Sequence, residues 1–422
     1  MNTKYFVKII GALVAAVSLT TCHPWQWEDL PKFNPDCPVV ESLSHTGAPF
    51  DTIVTVFGSG FDANSQHQFT LTINGIEVPI LDMKDSTSLR FRVPKGLESG
   101  VVKVGREGSE CETGTSMVFS YEYTEVSTAV FATQLNKPIG LDVDDNGNVF
   151  VADRNAHNIK MITSGGSISV IAGSTTGQFG WLTHPNGTSA RFTFPTDVAI
   201  GATGVIYVAD EGNNSIRKIE GEGTSRGVSN LVGQPDHEGD NNFGEIPFSN
   251  VLLTAPRCIA TDRNHKVFIT EPALQNIRVI DEDAKTVRKI QVNGTTALNY
   301  PSGTAFSIAR DNNFPLFVAN HDSQKVQAIN PTTGSGVTIS PPSFSTPTDI
   351  VLDDDGIIYV LDRGSNKIFI LYQDGSYSTI SVSSPTVNPN PNSLAGIALD
   401  KQRRIIYLSD EVKNMIYKVV FE

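Results

Sequence analysis

The sequence predicts an all-β chain in which a small N-terminal β-sandwich precedes a six-bladed β-propeller. One pattern occurs six times in the last two-thirds of the chain: an apolar β-type run, an acidic or amide residue that we call the anchor, and Ile or Val six places after it. The anchors are Asp153, Asp210, Glu271, Asn320, Asp362 and Asp410. Their spacings of 57, 61, 49, 42 and 48 residues fall in the range of propeller blades with loop insertions. Six repeats therefore predict six blades.

A second shared element lies upstream of five anchors, where a proline opens a predicted strand. The prolines are Pro138, Pro195, Pro256, Pro301 and Pro347. Proline is tolerated at the first residue of a strand because no ladder donor is needed there. Between this strand and the anchored one, residues such as Asp144–Gly147 favour a tight hairpin turn. Each blade is therefore predicted to run as strand a, a hairpin, strand b ending at the anchor, a turn, strand c and an outer strand d.

The last blade lacks a fourth strand, because the sequence ends after its predicted strand c. An apolar run over residues 128–133 precedes blade 1 and can supply the missing strand. Such pairing removes an open sheet edge, which is how propellers protect their edges. We therefore predict that 128–133 closes the propeller, which spans residues 126–422.

The repeats resemble the NHL-repeat family, in which a Pro-led strand, an Asp-Gly turn, a YVAD strand and an Asn-His-x-Ile turn recur. The best match is PIGLDVDDNGNVFVADRNAHNI, where His157 occupies the family's histidine position. Asn320 replaces the anchor acid in blade 4, and blade 6 lacks the leading proline. The resemblance implies a propeller. It also permits an enzyme, since some NHL propellers are metal-dependent lyases.

Residues 37–124 form a block with its own alternation of apolar and polar residues. Five runs, from TIVTVFGSGFD to MVFSYEY, are predicted as strands of one small sandwich. The block resembles an IPT/TIG domain, an Ig-like sandwich, at Gly58–Phe61, Asn74-Gly75, Val93-Pro94 and Phe119–Tyr121. Cys37 and Cys111 lie near its first and last strands. They are the candidate disulfide pair, because an exported compartment permits one.

The first residues have the layout of an export signal. Lys4 and Lys8 precede an apolar stretch from Ile9 to Val17 that is too short to span a membrane stably. Leu19-Thr20-Thr21-Cys22 resembles a bacterial lipobox, which implies lipidation of Cys22; an ordinary secretory peptide is the alternative. We therefore expect a signal peptide over 1–21, a lipid-anchored tether over 22–36, and an outer-membrane lipoprotein exposed at the cell surface.

Charge limits the partners of the chain. Its 422 residues carry a formal net charge of −13 at pH 7. A surface this acidic repels nucleic acid and anionic lipid headgroups, and it disfavours sulfated polysaccharides. The sequence has no phosphate-binding loop of the G-x-x-x-x-G-K-[ST] type. We expect no nucleic-acid partner and no cofactor.

The two longest repeat spacings locate the candidate ligand site. They come from two long connections, 173–194 entering blade 2 and 233–255 entering blade 3, which are expected on the same propeller face as the anchor turns. Long loops on a rigid scaffold concentrate binding residues. Aromatic rings stack on sugars, and polar groups orient the sugar hydroxyls. The candidate ligand-binding residues are Phe179, Trp181, His184, Arg191, Asp236, His237 and Asn241.

Packing is the alternative role for several aromatic residues of the first connection. Connections ending in ARF..P are frequent in NHL-type propellers, and Ser189–Pro195 fits this pattern. Phe192 and Phe194 are therefore expected to pack internally. Trp181 is as well suited to fill a gap between blades as to contact a ligand.

Catalytic arrangements have less support. His157, His184, His237 and His321 are all expected on the ligand face, but they come from different segments and lack the paired spacing of zinc ligands. Two anchor acids would suffice for glycoside hydrolysis, but an acid that recurs in every blade is better explained as a turn cap. We therefore predict no metal and no catalytic residue.

Three functional hypotheses follow. The lipid anchor, tether, Ig-like spacer and propeller resemble accessory lipoproteins of Bacteroidota polysaccharide-uptake systems. This resemblance implies non-catalytic capture of an oligosaccharide or polysaccharide and delivery to an outer-membrane transporter complex. The alternatives are an exported propeller enzyme, either a lyase or a lactone-type hydrolase, and a scaffold for protein–protein contacts. The sequence favours glycan binding without catalysis, although fold resemblance gives function only by analogy.

Overall fold

The computed structural model describes residues 38–421, except for 45–46, 50–52, 62–68, 94–98, 107–116, 123–125, 222, 224–225, 241–243, 293–297, 308–312, 340–342, 355, 372–376, 383–388 and 391. Several predictions concern residues outside this part. They are the signal peptide over 1–21, Cys22, the tether over 22–36, the candidate disulfide of Cys37 and Cys111, and Asn241. In the part that is described, no helix is long and apolar enough to cross a membrane.

The described residues of the N-terminal domain form nine strands in two sheets. The strands are β1 (Val39–Leu43), β2 (Gly47–Pro49), β3 (Ile53–Ser59), β4 (Phe69–Ile73), β5 (Ile76–Glu77), β6 (Ile80–Asp85), β7 (Ser88–Arg92), β8 (Gly100–Arg106) and β9 (Val118–Glu122). One sheet has the order β1-β3-β7-β6 and the other β2-β9-β8-β4-β5. Alternate residues of β4 are buried, as a half-covered strand requires. The Asn74-Gly75 turn, where both residues have positive φ, joins β4 to β5 in a tight hairpin.

Aromatic side chains fill the space between these two sheets. Phe91 of one sheet meets Phe119 of the other edge to face, with ring centroids 5.6 Å apart. Phe61, just after β3, meets Phe69 of β4 in the same way at 6.2 Å. Edge-to-face contacts at such distances add to the stabilisation from burial. This two-layer arrangement confirms the predicted Ig-like sandwich.

Six further sheets follow in the chain. The strand β10 (Val126–Ala132) comes first. Blade 1 has β11 (Pro138–Val143), β12 (Val149–Asp153), β13 (Asn158–Ile162) and β14 (Ile168–Gly173). Blade 2 has β15 (Pro195–Ile200), β16 (Ile206–Asp210), β17 (Ser215–Glu220) and β18 (Gly227–Gly233). Blade 3 has β19 (Ile246–Pro247), β20 (Ile259–Thr261), β21 (Lys266–Glu271), β22 (Asn276–Asp281) and β23 (Thr286–Lys289). Blade 4 has β24 (Pro301–Phe306), β25 (Leu316–Asn320), β26 (Lys325–Ile329) and β27 (Gly336–Ile339). Blade 5 has β28 (Pro347–Leu352), β29 (Ile358–Asp362), β30 (Lys367–Leu371) and β31 (Tyr377–Ser381). Blade 6 has β32 (Leu394–Asp400), β33 (Ile405–Asp410) and β34 (Met415–Phe421).

The innermost strands of the six sheets contact one another in a ring, in the order β11, β15, β20, β24, β28, β32 and back to β11. Blade 6 takes its outer strand from the start of the propeller, because β10 pairs antiparallel with β34 from Val126–Phe421 to Ala132–Ile416. Four of the five leading prolines begin a strand, as predicted; in blade 3 the strand starts at Ile259, three residues after Pro256. The chain is therefore the predicted β-propeller, with N- and C-terminal strands sharing one sheet.

The anchors hold the connection that enters each blade. In the five proline-led blades, the anchor side chain accepts the backbone N–H of the residue two places before the proline. These donors are Asn136, Thr193, Thr254, Asn299 and Ser345. In blade 6, Asp410 instead accepts from Val412 and Lys413 of its own turn. In these five blades the anchor oxygen supplies the hydrogen-bond acceptor for an N–H of the connection that enters the blade.

A second repeated position completes each anchor. The residue seven places after the anchor, on strand c, pairs with it in five blades. The pairs are Asp153–Lys160, Asp210–Arg217, Glu271–Arg278, Asn320–Gln327 and Asp410–Tyr417. In blade 5 this position is Phe369, and Ser365 donates to Asp362 instead. Arg217 and Arg278 are fully buried. Three of the anchor acids therefore have a basic partner, two have a hydroxyl partner, and the uncharged anchor of blade 4 has an uncharged partner.

Candidate functional site

The anchor turns and the connections that enter the blades lie on one face, which we call the upper face. Backbone N–H groups of the turns donate directly to the connections, as in Gly212 to Thr193 and His321 to Tyr300, at 2.9 and 3.1 Å. The hairpins between strands a and b lie at the opposite, lower end. The two long connections predicted to carry the site begin on the upper face.

Two positions of the repeat adopt a left-handed backbone on this face. The fourth residue after the anchor has a positive φ in all six blades: His157, Asn214, Gln275, Gln324, Asn366 and Asn414. The residue before the leading proline has one in four blades: Lys137, Phe194, Ala255 and Tyr300. Non-glycine residues rarely adopt this conformation, so the surrounding bonds must hold it in place.

These two left-handed positions bond to each other across blade boundaries. His157 Nδ1 accepts the N–H of Phe194 at 3.2 Å, Asn214 Oδ1 accepts that of Ala255 at 2.8 Å, and Asn414 Oδ1 accepts that of Lys137 at 2.7 Å. The histidine that matches the NHL pattern is therefore an acceptor that joins blade 1 to blade 2.

The connection 174–194 is held together by its own hydrogen bonds. The Arg191 guanidinium donates to Gln178 Oε1 at 3.0 Å and to the Ala190 carbonyl at 2.7 Å. Asn213 of blade 2 donates to the Gly180 carbonyl at 2.9 Å. Arg191, a predicted ligand-binding residue, thus bonds within the connection. These bonds hold the connection in a defined conformation.

Trp181 covers a buried arginine and keeps part of its ring exposed. The Arg217 guanidinium carbon lies 5.7 Å from the Trp181 ring centroid and 5.5 Å from that of Phe192. Arg217 also donates to the Leu182 and Arg191 carbonyls at 3.2 and 3.3 Å. Trp181 is nevertheless 42% exposed. It therefore both packs on Arg217 and offers a ring face to solvent.

Phe179 lies beside the His157 ring on the upper face. The His157 ring centroid is 5.6 Å from that of Phe179 and 4.7 Å from that of Phe194. The Arg154 guanidinium carbon lies 4.7 Å from the Phe194 centroid. Phe179 is 70% and Phe194 38% exposed, whereas Phe192 is fully buried. The packing prediction is therefore right for Phe192 and wrong for Phe194, whose left-handed backbone turns it towards the face.

His184 lies apart from this aromatic cluster. Its backbone pairs with Val228 of β18, and its Nδ1 accepts the Asn186 N–H at 2.9 Å. Val228 pairs with Ile219, four residues along β17 from the upper end of the blade at Ser215. At the usual rise of a strand, that places His184 roughly 13 Å below the upper end. The connection has turned down the outer edge of blade 2 at this point.

The second connection contributes exposed polar residues. Asp236, with φ 59°, and His237 are exposed, and the His237 ring bonds only locally, to the Pro235 carbonyl at 3.0 Å. Asp240 bonds to Lys289 at 2.8 Å and to Arg278 at 3.2 Å, which ties this connection to blade 3.

Charged side chains surround the channel opening on the upper face, which we call the mouth. We define the mouth by the residue after each anchor and the residues on either side of each leading proline. Arg154 pairs with Glu211 at 2.6 Å, and Glu411 pairs with Arg363 and, at 3.2 Å, with Lys137. Arg257 and Tyr300 also lie here, with Arg257 Nη1 3.3 Å from the Tyr300 hydroxyl. Sequence reasoning missed these residues.

The lower end of the channel holds a cavity of about 240 Å³ lined by the inner strands and their hairpins. Three aspartates in it accept the free backbone N–H of the next inner strand. The bonds are Asp142 from Ile200, Asp197 from Ile259 and Asp349 from Ile397, at 2.8 to 3.0 Å. Burial raises the pKa of all three carboxyls, that of Asp349 to about 7. These acids seal blade contacts, and no group of three or more His, Cys, Asp or Glu among the described residues is placed to hold a metal ion.

Replacing His157 tests its bridging role. Burial, and secondarily the Arg154 charge, lowers the pKa of His157, so the neutral ring is the form that accepts from Phe194. Its contribution to stability is therefore present above the ordinary value of 6.5 and is lost as the pH falls below it. We expect His157→Ala to lower the free energy of unfolding at pH 8 by about 2 kcal/mol, because both the bond and the left-handed preference are lost.

The matched variant is His157→Asn, which copies Asn214 and Asn414. Asparagine accepts the same N–H and tolerates the left-handed backbone. Urea unfolding should therefore show that His157→Asn is about 1 kcal/mol more stable than His157→Ala. Equal destabilisation by Ala and Asn would contradict the bridging role.

Comparison with protein families identifies both parts of the chain. The IPT/TIG domain model matches residues 38–123, and the NHL repeat model matches 135–160, 192–219 and 344–371. Peptidylglycine alpha-amidating monooxygenases of Rattus norvegicus and Mus musculus are 24% identical over 276 residues, which is 61% of this chain. The chain spans only 26% of the length of these curated relatives.

Three solved structures share the fold at low sequence identity. A Bacteroides thetaiotaomicron protein of unknown function has a TM-score of 0.54 and 14% identity, covering 92% of this chain and 99% of its own. An auxiliary nutrient binding protein from the same species has a TM-score of 0.50 and 12% identity, with coverages of 91% and 98%. A gluconolactonase of Xanthomonas campestris has a TM-score of 0.52 and 12% identity, covering 71% of this chain and 91% of its own. The chain thus contains an IPT/TIG domain over residues 38–123 and, within its β-propeller, NHL repeats at 135–160, 192–219 and 344–371.

Proposed function

We propose that this protein captures an oligosaccharide on the upper face of its propeller, without catalysis, as an accessory to nutrient uptake. The observation that carries the proposal is the pair of exposed rings, Phe179 and Trp181, on a connection held by internal bonds. Large exposed aromatic residues on a rigid scaffold are typical of binding surfaces.

The chemistry of this face suits a sugar. Phe179, Trp181 and Phe194 present apolar ring faces that match the C–H side of a pyranose. Arg154, which lies over the Phe194 ring, and Glu211, which pairs with Arg154, provide donors and acceptors for hydroxyl groups. Because the connection is already ordered, little conformational entropy is lost when a ligand binds.

The setting of the domain also supports capture. A protein with the same fold is named an auxiliary nutrient binding protein. The similarity covers 91% of this chain and 98% of that protein. A lipid anchor at Cys22, a cell-surface position and delivery to an outer-membrane transporter complete the proposal. The IPT/TIG domain then spaces the propeller from the membrane.

Native affinity electrophoresis of the full chain against a panel of soluble polysaccharides tests this function. We expect one polysaccharide class to retard the protein and to remain chemically unchanged. Phe179→Ala should weaken that retardation by about tenfold, because it removes an exposed ring with few structural contacts. Trp181→Phe should weaken it less, since the smaller ring still covers Arg217.

The control is Tyr377→Ala, which removes a ring that is 46% exposed on the outer strand of blade 5. It should leave retardation unchanged. Equal loss in both alanine variants would contradict an upper-face site. A shortened polymer would indicate the hydrolase or lyase hypothesis, and absence of retardation by every polysaccharide would favour a protein–protein scaffold.

A further inference from the structure

Arg257 lies at the mouth, directly after Pro256 and at the upper end of the inner strand of blade 3. Its backbone is fixed on both sides: its N–H donates to the Thr270 carbonyl at 2.9 Å, and its carbonyl accepts from Thr196 Oγ1 at 2.8 Å. The side chain is half-buried. The guanidinium is therefore presented from a fixed point of the ring.

The charge of Arg257 acts on groups of several other blades. Burial lowers the pKa of Arg257, but neighbouring groups that include Glu211 and Glu411 outweigh burial and raise it. Glu211 belongs to blade 2 and Glu411 to blade 6. The same positive charge opposes the rise in the pKa of Asp349 in blade 5.

This guanidinium has no carboxylate of its own. Among the described residues no Asp or Glu oxygen forms an ion pair with it, and its one hydrogen bond is to the Tyr300 hydroxyl at 3.3 Å. The two nearest acids are already paired, Glu211 with Arg154, and Glu411 with Arg363 and Lys137. A half-buried guanidinium without a carboxylate partner is available to bind an anionic group.

The mouth is locally basic although the chain is acidic. Its bordering positions carry four cations, Lys137, Arg154, Arg257 and Arg363, against two acids, Glu211 and Glu411. The whole chain has a net charge of −13. The acidic surface around the mouth repels ligands with many negative charges, whereas the mouth itself attracts them. This combination favours a single anionic group attached to a larger, otherwise neutral ligand.

We propose that Arg257 is a carboxylate subsite at the mouth, and that the captured glycan contains uronic acid residues. The inference rests on the proposed function and names its ligand class. The planar guanidinium fork matches a carboxylate through two parallel hydrogen bonds. The Tyr300 ring, 5.9 Å from the guanidinium carbon and 5.5 Å from the His321 ring, supplies the surface on which the same sugar stacks.

Isothermal titration calorimetry of the full chain with oligogalacturonate and with its fully methyl-esterified form tests the subsite. The two probes differ in charge while sharing the same ring stereochemistry. We expect the acid to bind about 10- to 100-fold more tightly near neutral pH, the size of a charge-assisted bidentate contact. The advantage should shrink as salt is added. Equal affinities for acid and ester would overturn the proposal without requiring any variant.

Variants assign the effect to Arg257. Arg257→Gln should remove the preference for the acid and leave the ester unchanged, and Arg257→Lys should keep part of it because the charge remains without the fork. The control is Arg288→Gln, which alters an arginine bonded to the Pro331 carbonyl at 2.7 Å. Thermal unfolding shows whether each variant is folded. A preference that survives in a folded Arg257→Gln protein would overturn the assignment.

The outcomes separate this proposal from the function on which it rests. Binding of neutral glycans alone, lost in Phe179→Ala, would sustain capture on the upper face and refute the carboxylate subsite. Binding of neither class would refute both.

Discussion

Asp210→Asn is expected to lower the free energy of unfolding by about 3–5 kcal/mol, because it leaves Arg217 buried without its counter-charge. Asp210 Oδ2 lies 3.1 Å from Arg217 Nη1, and both side chains are fully buried. Burial raises the pKa of Asp210 to about 6, so the comparison belongs at pH 8, where the carboxylate is ionised. Urea unfolding followed by circular dichroism measures the loss.

Blade 4 provides the matched control for this variant. Its anchor pair, Asn320 with Gln327, is the uncharged counterpart of Asp210 with Arg217. The double variant Asp210→Asn with Arg217→Gln should therefore recover about half of the loss or more, since no buried charge remains. The rest of the lost stability is not recovered, because Arg217 also donates hydrogen bonds to the Leu182 and Arg191 carbonyls. A double variant less stable than Asp210→Asn alone would refute the role of charge matching.

Removal of β10 is expected to have the second large effect. A chain that begins at residue 134 lacks the strand that pairs with β34, whereas a chain that begins at 125 retains it. The loss includes a ladder from Val126 to Ala132 and the contact of Phe131 with Tyr407, whose ring centroids are 4.9 Å apart. We estimate a loss on the order of 5–10 kcal/mol, which equals the stability of a typical domain.

Thermal unfolding and gel filtration of these two chains measure the effect. The longer chain should be monomeric with a cooperative transition, and the shorter one should aggregate or unfold without cooperativity, because β34 becomes an open edge. A synthetic peptide of residues 125–134 added to the shorter chain should restore part of the transition. Identical melting of the two chains would show that β10 does not close the ring.

The fold was predictable because each blade carries its own local signals. The anchors, the leading prolines and the hairpin residues repeat within the sequence, and strand pairing follows from their order. The partner seven places after the anchor was equally regular in position but not in identity, since Lys160, Arg278 and Gln327 share no side-chain class. Such a position is recognised only when the hydrogen bonds are seen.

The candidate site was less predictable for a geometric reason. Loop length indicated where Phe179 and Trp181 would emerge, but not that the chain would turn down the outer edge before His184. Arg257 resembled an ordinary strand residue, because sequence does not show which ring positions face the axis. Phe194 was assigned to packing for the same reason, since its left-handed backbone is invisible in its residue type.

The left-handed residues before the prolines have a consequence for how recognition can diverge. At Lys137, Phe194 and Ala255 the backbone N–H is bonded by Asn414, His157 and Asn214, and each anchor bonds the residue just before, whatever side chain the position bears. Lys137, Phe194, Ala255 and Tyr300 accordingly place an amine, a phenyl ring, a methyl group and a phenol on the same backbone conformation. Single substitutions at these places exchange one functional group for another while the framework stays intact. The mouth of the propeller therefore has several equivalent backbone positions that accept different side chains. New specificities can arise there by point mutation without remodelling of loops.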